Sequence, residues 1–437
     1  MIATETSPAA VRGRLFSRVV QNVAWLLGSQ AVNGIVGLIF LAIVARALGP
    51  SQFGVFALAL TYGQLLSNLS HFESWKGVIP FGAIHVAERR PDMLARLLGY
   101  SFTLDCLSAV IGGGIAAVGA FVIGPVLGWP PELQRMAAAF GAALVLASGG
   151  TPTGILRLFD RFDLLAFVET VGPLVRLIGG IVAWAEGAGA SAYLLVWALG
   201  AGAQLLATWA AAVLARRCRL SLGPAAFRTA LKDNPGLWQF MWQTSVSSSL
   251  RFVSMQVGTL VVGTVASPAI AGGFRLADRL ASAVTKPMEQ FARVLFPELA
   301  GLVASDDRQT LRWVLIRSVL PSAALSALLV IVALFGGDLI LRLFAGPRFT
   351  FAQPFLVVLT VATAIEVSGF ILEPFHNAHG GAAIVLRARL AGAAAYALVL
   401  FTLLPFIGAM GAAIAAVASS AVIVWLLALA AAKLVHG

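Results

Sequence analysis

The sequence predicts an all-α integral membrane protein with about twelve transmembrane helices in two pseudo-symmetric six-helix lobes around a central cavity. Composition, the length of the apolar runs and one internal repeat lead to it. Of 437 residues, 59% are hydrophobic and only 11% charged, where an ordinary soluble domain carries about 25% charged residues. A soluble chain this apolar would have nowhere to bury its surface, and a disordered one needs the opposite balance. Collagen-like, disulfide-rich secreted and nucleic-acid-binding classes fall as well. The apolar runs are membrane-length, and most basic residues sit between them.

A bilayer-crossing helix needs about 20 apolar residues. Twelve such spans are read at about 20–46, 52–82, 97–122, 135–157, 164–185, 190–214, 237–265, 268–299, 313–336, 351–375, 383–406 and 409–432. Ahead of the first lie polar residues with Arg12, Arg14 and Arg18. The apolar segment that follows is too long for a signal-peptide core and has no convincing cleavage site, so it is expected to be retained. Spans 1–6 make an N-lobe over 1–215, spans 7–12 a C-lobe over 237–437, and a basic cytoplasmic linker without apolar periodicity joins them over 216–236.

Orientation follows from the positive-inside rule. With the N-terminus inside, 19 of the 30 Lys and Arg residues lie in the cytoplasm and four (Arg46, Arg135, Arg342, Arg348) lie outside. The reverse orientation inverts that ratio, so both termini are expected on the cytoplasmic side. The remaining seven cations, Lys76, Arg176, Arg251, Arg275, Arg279, Lys286 and Arg293, fall inside spans. Each costs about 2.5–3.5 kcal/mol at a helix centre and so needs a partner or a wet cavity.

The chain also repeats itself. Pro50, Gly54, Phe56, Leu58 and Ala59 recur as Pro268, Gly272, Phe274, Leu276 and Ala277, displaced by 218 residues and in the same topological slot. Six is an even number of spans, so both halves enter the membrane in the same direction. Such parallel repeats are related by an axis along the bilayer normal and suit alternating access.

VARALGPSQFGVFALAL (44–60) resembles the signature between the first two helices of the polysaccharide transporter family of lipid-linked oligosaccharide flippases, within the multidrug/oligosaccharidyl-lipid/polysaccharide exporter superfamily. AGGFRLADRL (271–280) with FPELAGL (296–302), FAGPRF (344–349) and GAMGAAIAA (408–416) are similar to later parts of that pattern. The resemblance covers nearly the whole chain in order and spacing. It implies two six-helix lobes and movement of an undecaprenyl-pyrophosphate-type glycan from the inner to the outer leaflet of the bacterial inner membrane. Its implied partners are that lipid-linked glycan, membrane lipid, and polysaccharide polymerase and ligase proteins. It implies no nucleic acid and no cofactor.

The residues add a reading of their own. At 100° per residue, Arg275, Arg279, Lys286 and Arg293 fall within about 40° of one another, on a stripe about 27 Å long. Asp278 and Glu289 at its edge leave two positive charges over. Pro287 should kink or loosen this helix. On the functional reading the stripe, with Arg251, attracts pyrophosphate or an acidic glycan, since guanidinium forks suit such anions. On the structural reading it is a set of internal ion pairs. At the repeat offset the other lobe carries Thr61, Asn68 and Trp75, so Gln64, Asn68, His71 and Trp75 are candidates for sugar hydroxyls and rings. Trp75 suits an interface anchor equally well, and Lys76 has a local partner in Glu73.

Asp105, Glu169, Glu366 and Glu373 are candidates for ion coupling, because a poorly solvated carboxylate can carry a proton. The competing reading is charge balance: with Glu73, Asp278 and Glu289 they match the seven intramembrane cations in number. Sequence signs of catalysis and metal binding are few. There is no P-loop, H-E-x-x-H or C-x-x-C; Cys106 lies in a span and Cys218 in the cytoplasm; His376 and His379 form only an H-x-x-H at a helix end. Asp160 and Asp163 sit in a short cytoplasmic loop, and the outer loops are too short for a membrane glycosyltransferase. A non-enzymatic flippase is thus the leading expectation. The alternative is a cation-coupled small-molecule or drug exporter of the same superfamily, whose site should be acidic and aromatic rather than basic.

Overall fold

The computed structural model describes residues 8–215, 220–285, 288, 292, 299, 302, 303 and 308–436, and every element among them is helical. Helix α1 runs Pro8–Ser70 and breaks at Gly49, whose φ of 66° no L side chain adopts without strain. Pro50 follows with no N–H to offer and so opens the second half of the helix. Then come α2 (Ser74–Ala87), α3 (Pro91–Ile123), α4 (Pro131–Leu146), α5 (Thr151–Leu158), α6 (Phe162–Ala185), α7 (Ala190–Ala215) and α8 (Pro224–Asp233). They are followed by α9 (Leu237–Val265), α10 (Pro268–Ala281), α11 (Arg308–Ala345), α12 (Gln353–Ser368), α13 (Leu372–Ala378), α14 (Ala382–Ile407) and α15 (Ala409–His436). Prolines stand in the first two positions of α3, α4, α5, α8 and α10. There the missing donor costs nothing, because those N–H groups have no intrahelical partner.

Among the described residues, nine helical segments are long and apolar enough to cross a membrane. The first, Gly28–Ala87, has 60 residues, about 90 Å at 1.5 Å per residue against a hydrocarbon core of about 30 Å. It therefore has length for both expected spans 1 and 2. The other eight match spans 3–6 and 9–12, while α9 coincides with expected span 7. Outward-facing apolar side chains are abundant, with Phe335, Leu214 and Phe406 all more than 80% exposed. Such surfaces are stable against lipid and not against water. The protein is a helical, multi-pass integral membrane protein.

Three local features differ from the sequence reading. Span 10 is not continuous: α12 ends at Ser368 and α13 restarts at Leu372. Restarting there places Pro374 in a first turn, where its missing N–H breaks no hydrogen bond. In span 8 the α-geometry of α10 gives way to a 3₁₀ turn at Ser282–Val284. Among the described residues the stripe can be followed in α-geometry as far as Ala281. The basic linker contains a helix, α8, docked on α3 through Phe227 packed at a tilt against Tyr100, centroids 4.4 Å apart, and a buried Ala230. Its short apolar face, Phe227–Ala230–Leu231 at i, i+3 and i+4, was too brief to register as a period.

The chain forms two compact units, Met1–Ile43 with Ala59–Met255, and Val44–Leu58 with Gln256–Gly437. In the first, α6 packs on α7, α3 on α4, and α2 on both α3 and α5. Val78, Leu98, Ile155, Leu156, Leu165 and Val168 form one of its cores. In the second, α14 packs on α15, α11 on α12, and α12 on α10 and α15. Apart from Ala59, both copies of the repeated motif lie in this second unit, and there they touch. A Cβ on Gly272 would sit 2.8 Å from Gly54 Cα, and one on Gly54 would overlap the Pro268 carbonyl. Small residues let helix backbones approach closely within a membrane. Arg46 donates to the carbonyls of Leu343 and Phe344, satisfying groups that the end of α11 would otherwise leave unpaired.

Candidate functional site

Within the second unit, α10 presents the cations that the sequence singled out. Arg275 and Arg279 stand one turn apart, and Arg275 Nη1 lies 3.5 Å from Asp278 Oδ2. The Arg275 side chain is largely buried at 14% exposure, and Arg279 lies within electrostatic reach of the same Asp278, so the three form a partly desolvated charged cluster. Tyr396 of α14 approaches α9 at Gly258 and lies within electrostatic reach of Asp278. Lys286 and Arg293 lie outside the described residues, as do Pro287 and Glu289. Arg251 falls on α9, with its side chain outside the described set.

Within the first unit, the end of α1, the start of α2 and the N-terminal half of α9 meet in a polar and aromatic cluster. The chain bends at His71–Glu73, which brings Asn68 and Trp75 to either side of the bend. Asn68 Nδ2 donates to the Gln64 carbonyl at 2.8 Å, and the Asn68 carbonyl accepts from Ser249 Oγ at 3.5 Å. Lys76 is ion-paired with Glu73 as the i, i+3 spacing suggests. Ser248 of α9 bridges the two, accepting from Lys76 Nζ at 2.9 Å and donating to Glu73 Oε2 at 2.6 Å. The Glu73 backbone N–H donates to Ser245 Oγ at 3.2 Å. Over the Trp75 ring lies the guanidinium of Arg157, 4.2 Å from the centroid, and Lys76 Nζ is 5.6 Å away. A cation on an aromatic face is attractive, more so where water is excluded.

Several members of this cluster escaped the sequence reading. By sequence Arg157 is one of the 19 cytoplasmic cations, and Ser248 carries no signal of its own. Trp238, also on α9, stacks on Phe72, and Trp242 stacks on Trp238. A signal was present: seven of the eleven residues 239–249 (QFMWQTSVSSS) are polar, which is odd for a span wholly facing lipid.

The four coupling candidates lie in different settings. Asp105, on α3, is buried, and its Oδ2 accepts from Gly150 N at 3.0 Å, Thr151 N at 2.8 Å and Thr151 Oγ1 at 2.6 Å. It therefore caps α5, placing negative charge at the positive end of that helix. Its Oδ1 is buried with no hydrogen-bond partner among the described residues. Glu169, on α6, accepts from Ser29 Oγ at 3.5 Å and lies within electrostatic reach of Arg157. Glu366 accepts from Ser420 Oγ at 2.8 Å, whereas Glu373 pairs with Arg389 at 2.7 Å. The break between α12 and α13 puts these last two on separate helices. His376 Nε2 lies 2.8 Å from the Leu427 carbonyl and His379 Nδ1 3.0 Å from that of Phe375, so a backbone carbonyl engages a nitrogen of each ring.

Comparison with known proteins follows the same lines. The profile of the family described as polysaccharide biosynthesis protein matches residues 19–303. A curated relative, the inner membrane protein YghQ of Escherichia coli (strain K12), is 28% identical over 341 residues, covering 76% of this chain and 94% of its own. Among solved structures, the inward-facing conformation of a multidrug resistance MATE family transporter of the MOP superfamily is similar, with a TM-score of 0.76 at 14% identity, over 92% of this chain and 94% of that one. The lipid II flippase MurJ in its inward closed conformation gives a TM-score of 0.66 at 14% identity, over 93% and 87%. At such identities these likenesses establish the fold.

Proposed function

The chain belongs to the polysaccharide biosynthesis protein family, and on that premise we propose that it is a flippase for a polyprenyl-pyrophosphate-linked oligosaccharide. It moves this substrate from the cytoplasmic to the outer leaflet of a bacterial inner membrane by alternating access, with both termini cytoplasmic. One observation carries the reading: α10 places two guanidinium groups, Arg275 and Arg279, a turn apart on one largely apolar helix, with Arg275 3.5 Å from Asp278 and Arg279 within electrostatic reach of it. Positive charge at membrane depth favours an anion beside it. A pyrophosphate, with two phosphoryl groups for two guanidinium forks, is a suitable visitor. In the sequence Lys286 and Arg293 extend the stripe and Arg251 adds to it. Asn68 and Trp75 serve the glycan in the other unit, and one or more of Asp105, Glu169, Glu366 and Glu373 couples transport to an ion.

The test is a strain lacking this chain, complemented with wild type or Arg279→Ala at equal protein level. Undecaprenyl-linked oligosaccharide is expected to accumulate in the inner leaflet of the deletion and of the variant. Normal glycan export by Arg279→Ala would remove the proposed role of the stripe. A second reading, export of a small molecule or drug, is favoured by the fold shared with the MATE transporter. The basic character of α10 speaks against the cationic substrates such a protein would carry. Drug sensitivity in the deletion strain with unaltered lipid-linked glycan would favour that reading instead.

A further inference from the structure

Phe72, at the bend after α1, stacks on Trp238 with centroids 5.7 Å apart and planes 17° apart, and Trp238 stacks on Trp242 at 6.1 Å and 23°. Three rings thus form one tilted array, and its two tryptophans remain 48% and 53% exposed. Trp238 and Trp242 are one turn apart on α9, and the same face continues with Ser245 and Ser249, which all lie within about 60° of one another at 100° per residue. Beside the array runs the Glu73–Ser248–Lys76 chain of hydrogen bonds.

Tryptophans near a span end usually anchor the helix at the membrane interface. That role does not account for this face. An interfacial belt borders on apolar residues that continue into lipid, whereas this face continues into hydroxyls and lies next to an ion pair. Charged and hydroxyl groups at membrane depth face the protein interior or a wet cavity. A face that is flat and aromatic at one end and rich in donors and acceptors at the other matches one chemical class closely. A pyranose has an apolar face of C–H groups and a rim of hydroxyls, so it can stack and hydrogen-bond at once.

We propose that Phe72, Trp238 and Trp242 form a stacking subsite for a sugar ring of the transported glycan, with the neighbouring Ser249 and the Glu73–Ser248–Lys76 chain receiving its hydroxyls. This subsite rests on the flippase reading and adds to it a recognition element for the sugar, separate from the one for the pyrophosphate. A glycosylated lipid should consequently bind more tightly than the same lipid pyrophosphate without sugar. Ring stacking on two tryptophans accounts for an increment of about tenfold.

The experiment compares two soluble probes on the purified full-length chain in nanodiscs: farnesyl pyrophosphate, and farnesyl pyrophosphate bearing a glucosyl, galactosyl or N-acetylglucosaminyl residue. The quantity read is the ratio of their affinities, which does not depend on the fraction of protein correctly folded. Wild type is expected to favour at least one glycosylated probe about tenfold, and the doubly substituted Trp238→Leu, Trp242→Leu protein less than twofold. Leucine keeps the face apolar, so simple greasy contact with lipid would survive the exchange. Trp425→Leu, at an exposed position on α15, should leave the ratio as in wild type. A wild-type ratio near one, or a tenfold ratio retained by the double variant, overturns the subsite and leaves the flippase reading standing. Binding of neither probe by wild type overturns the flippase reading itself.

Discussion

Asp105 caps α5 through one oxygen that accepts three hydrogen bonds, so removing the carboxylate strands two backbone N–H groups and a hydroxyl in a buried place. Unsatisfied buried donors cost about 1–3 kcal/mol each. Asp105→Ala should therefore lower stability by about 3 kcal/mol or more, read as a fall in Tm of the detergent-solubilised protein. Asp105→Asn keeps an acceptor and should fall less. Equal Tm values for Ala and wild type would show the cap to be dispensable. The carboxylate's role in ion coupling is a separate question, read by whether Asp105→Asn abolishes the pH-gradient dependence of transport in vesicles. Glu73 illustrates the same scale differently. Its pairing with Lys76 was legible from an i, i+3 spacing, but Ser248, more than 170 positions away in the chain, was not. Glu73→Ala should leave Lys76 a half-buried cation with the Ser248 hydroxyl and the Trp75 ring beside it in place of a counter-charge, and a larger loss of stability than Lys76→Met.

At the scale of elements, the two copies of the repeated motif pack against each other through glycine. Gly272→Val would press a side chain into Gly54 Cα, and Gly54→Ala would meet the Pro268 carbonyl. Neither obstacle is a flexible side-chain end, so both variants should lose most of the monodisperse protein seen on fluorescence-detected size exclusion. Gly114→Ala, where a Cβ meets nothing within 4 Å, is the matched substitution and should purify as wild type or slightly better. Helix α8 offers a gentler case. It is held to the first unit by Phe227 on Tyr100 and by Arg96 Nε bonded to Asp233 Oδ2 at 2.7 Å. Phe227→Ala should speed proteolytic cleavage within 220–236 while the spans stay folded. An unchanged cleavage rate would mean that the polar contacts alone hold the helix.

At the scale of the whole molecule, the excess of basic residues in the expected cytoplasmic loops predicts that a fluorescent protein fused after Gly437 folds and emits in the cytoplasm, and that alkaline phosphatase fused there is inactive. The opposite result would invert the topology and with it the direction proposed for transport. The helical membrane fold, the positions of most of its spans and the cations of α10 were legible in the sequence. Each follows from composition and short-range spacing, which the chain carries locally: a bilayer demands about 20 apolar residues per crossing, and an intramembrane Arg is conspicuous wherever it lies. Other features were legible only in part. The break in span 10 depended on where Pro374 could be tolerated, and α8 on a face of three residues that only α3 makes meaningful. The aromatic and hydroxyl cluster of Phe72, Trp238, Trp242 and Ser248 unites residues from two ends of the first unit. Sequence determined which segments are long and apolar enough to cross a membrane, because burial in lipid is a property of each segment's own side chains. Tertiary structure alone decided which polar groups share a site, because hydrogen bonds and ring stacking act over a few ångströms between residues that the chain sets far apart.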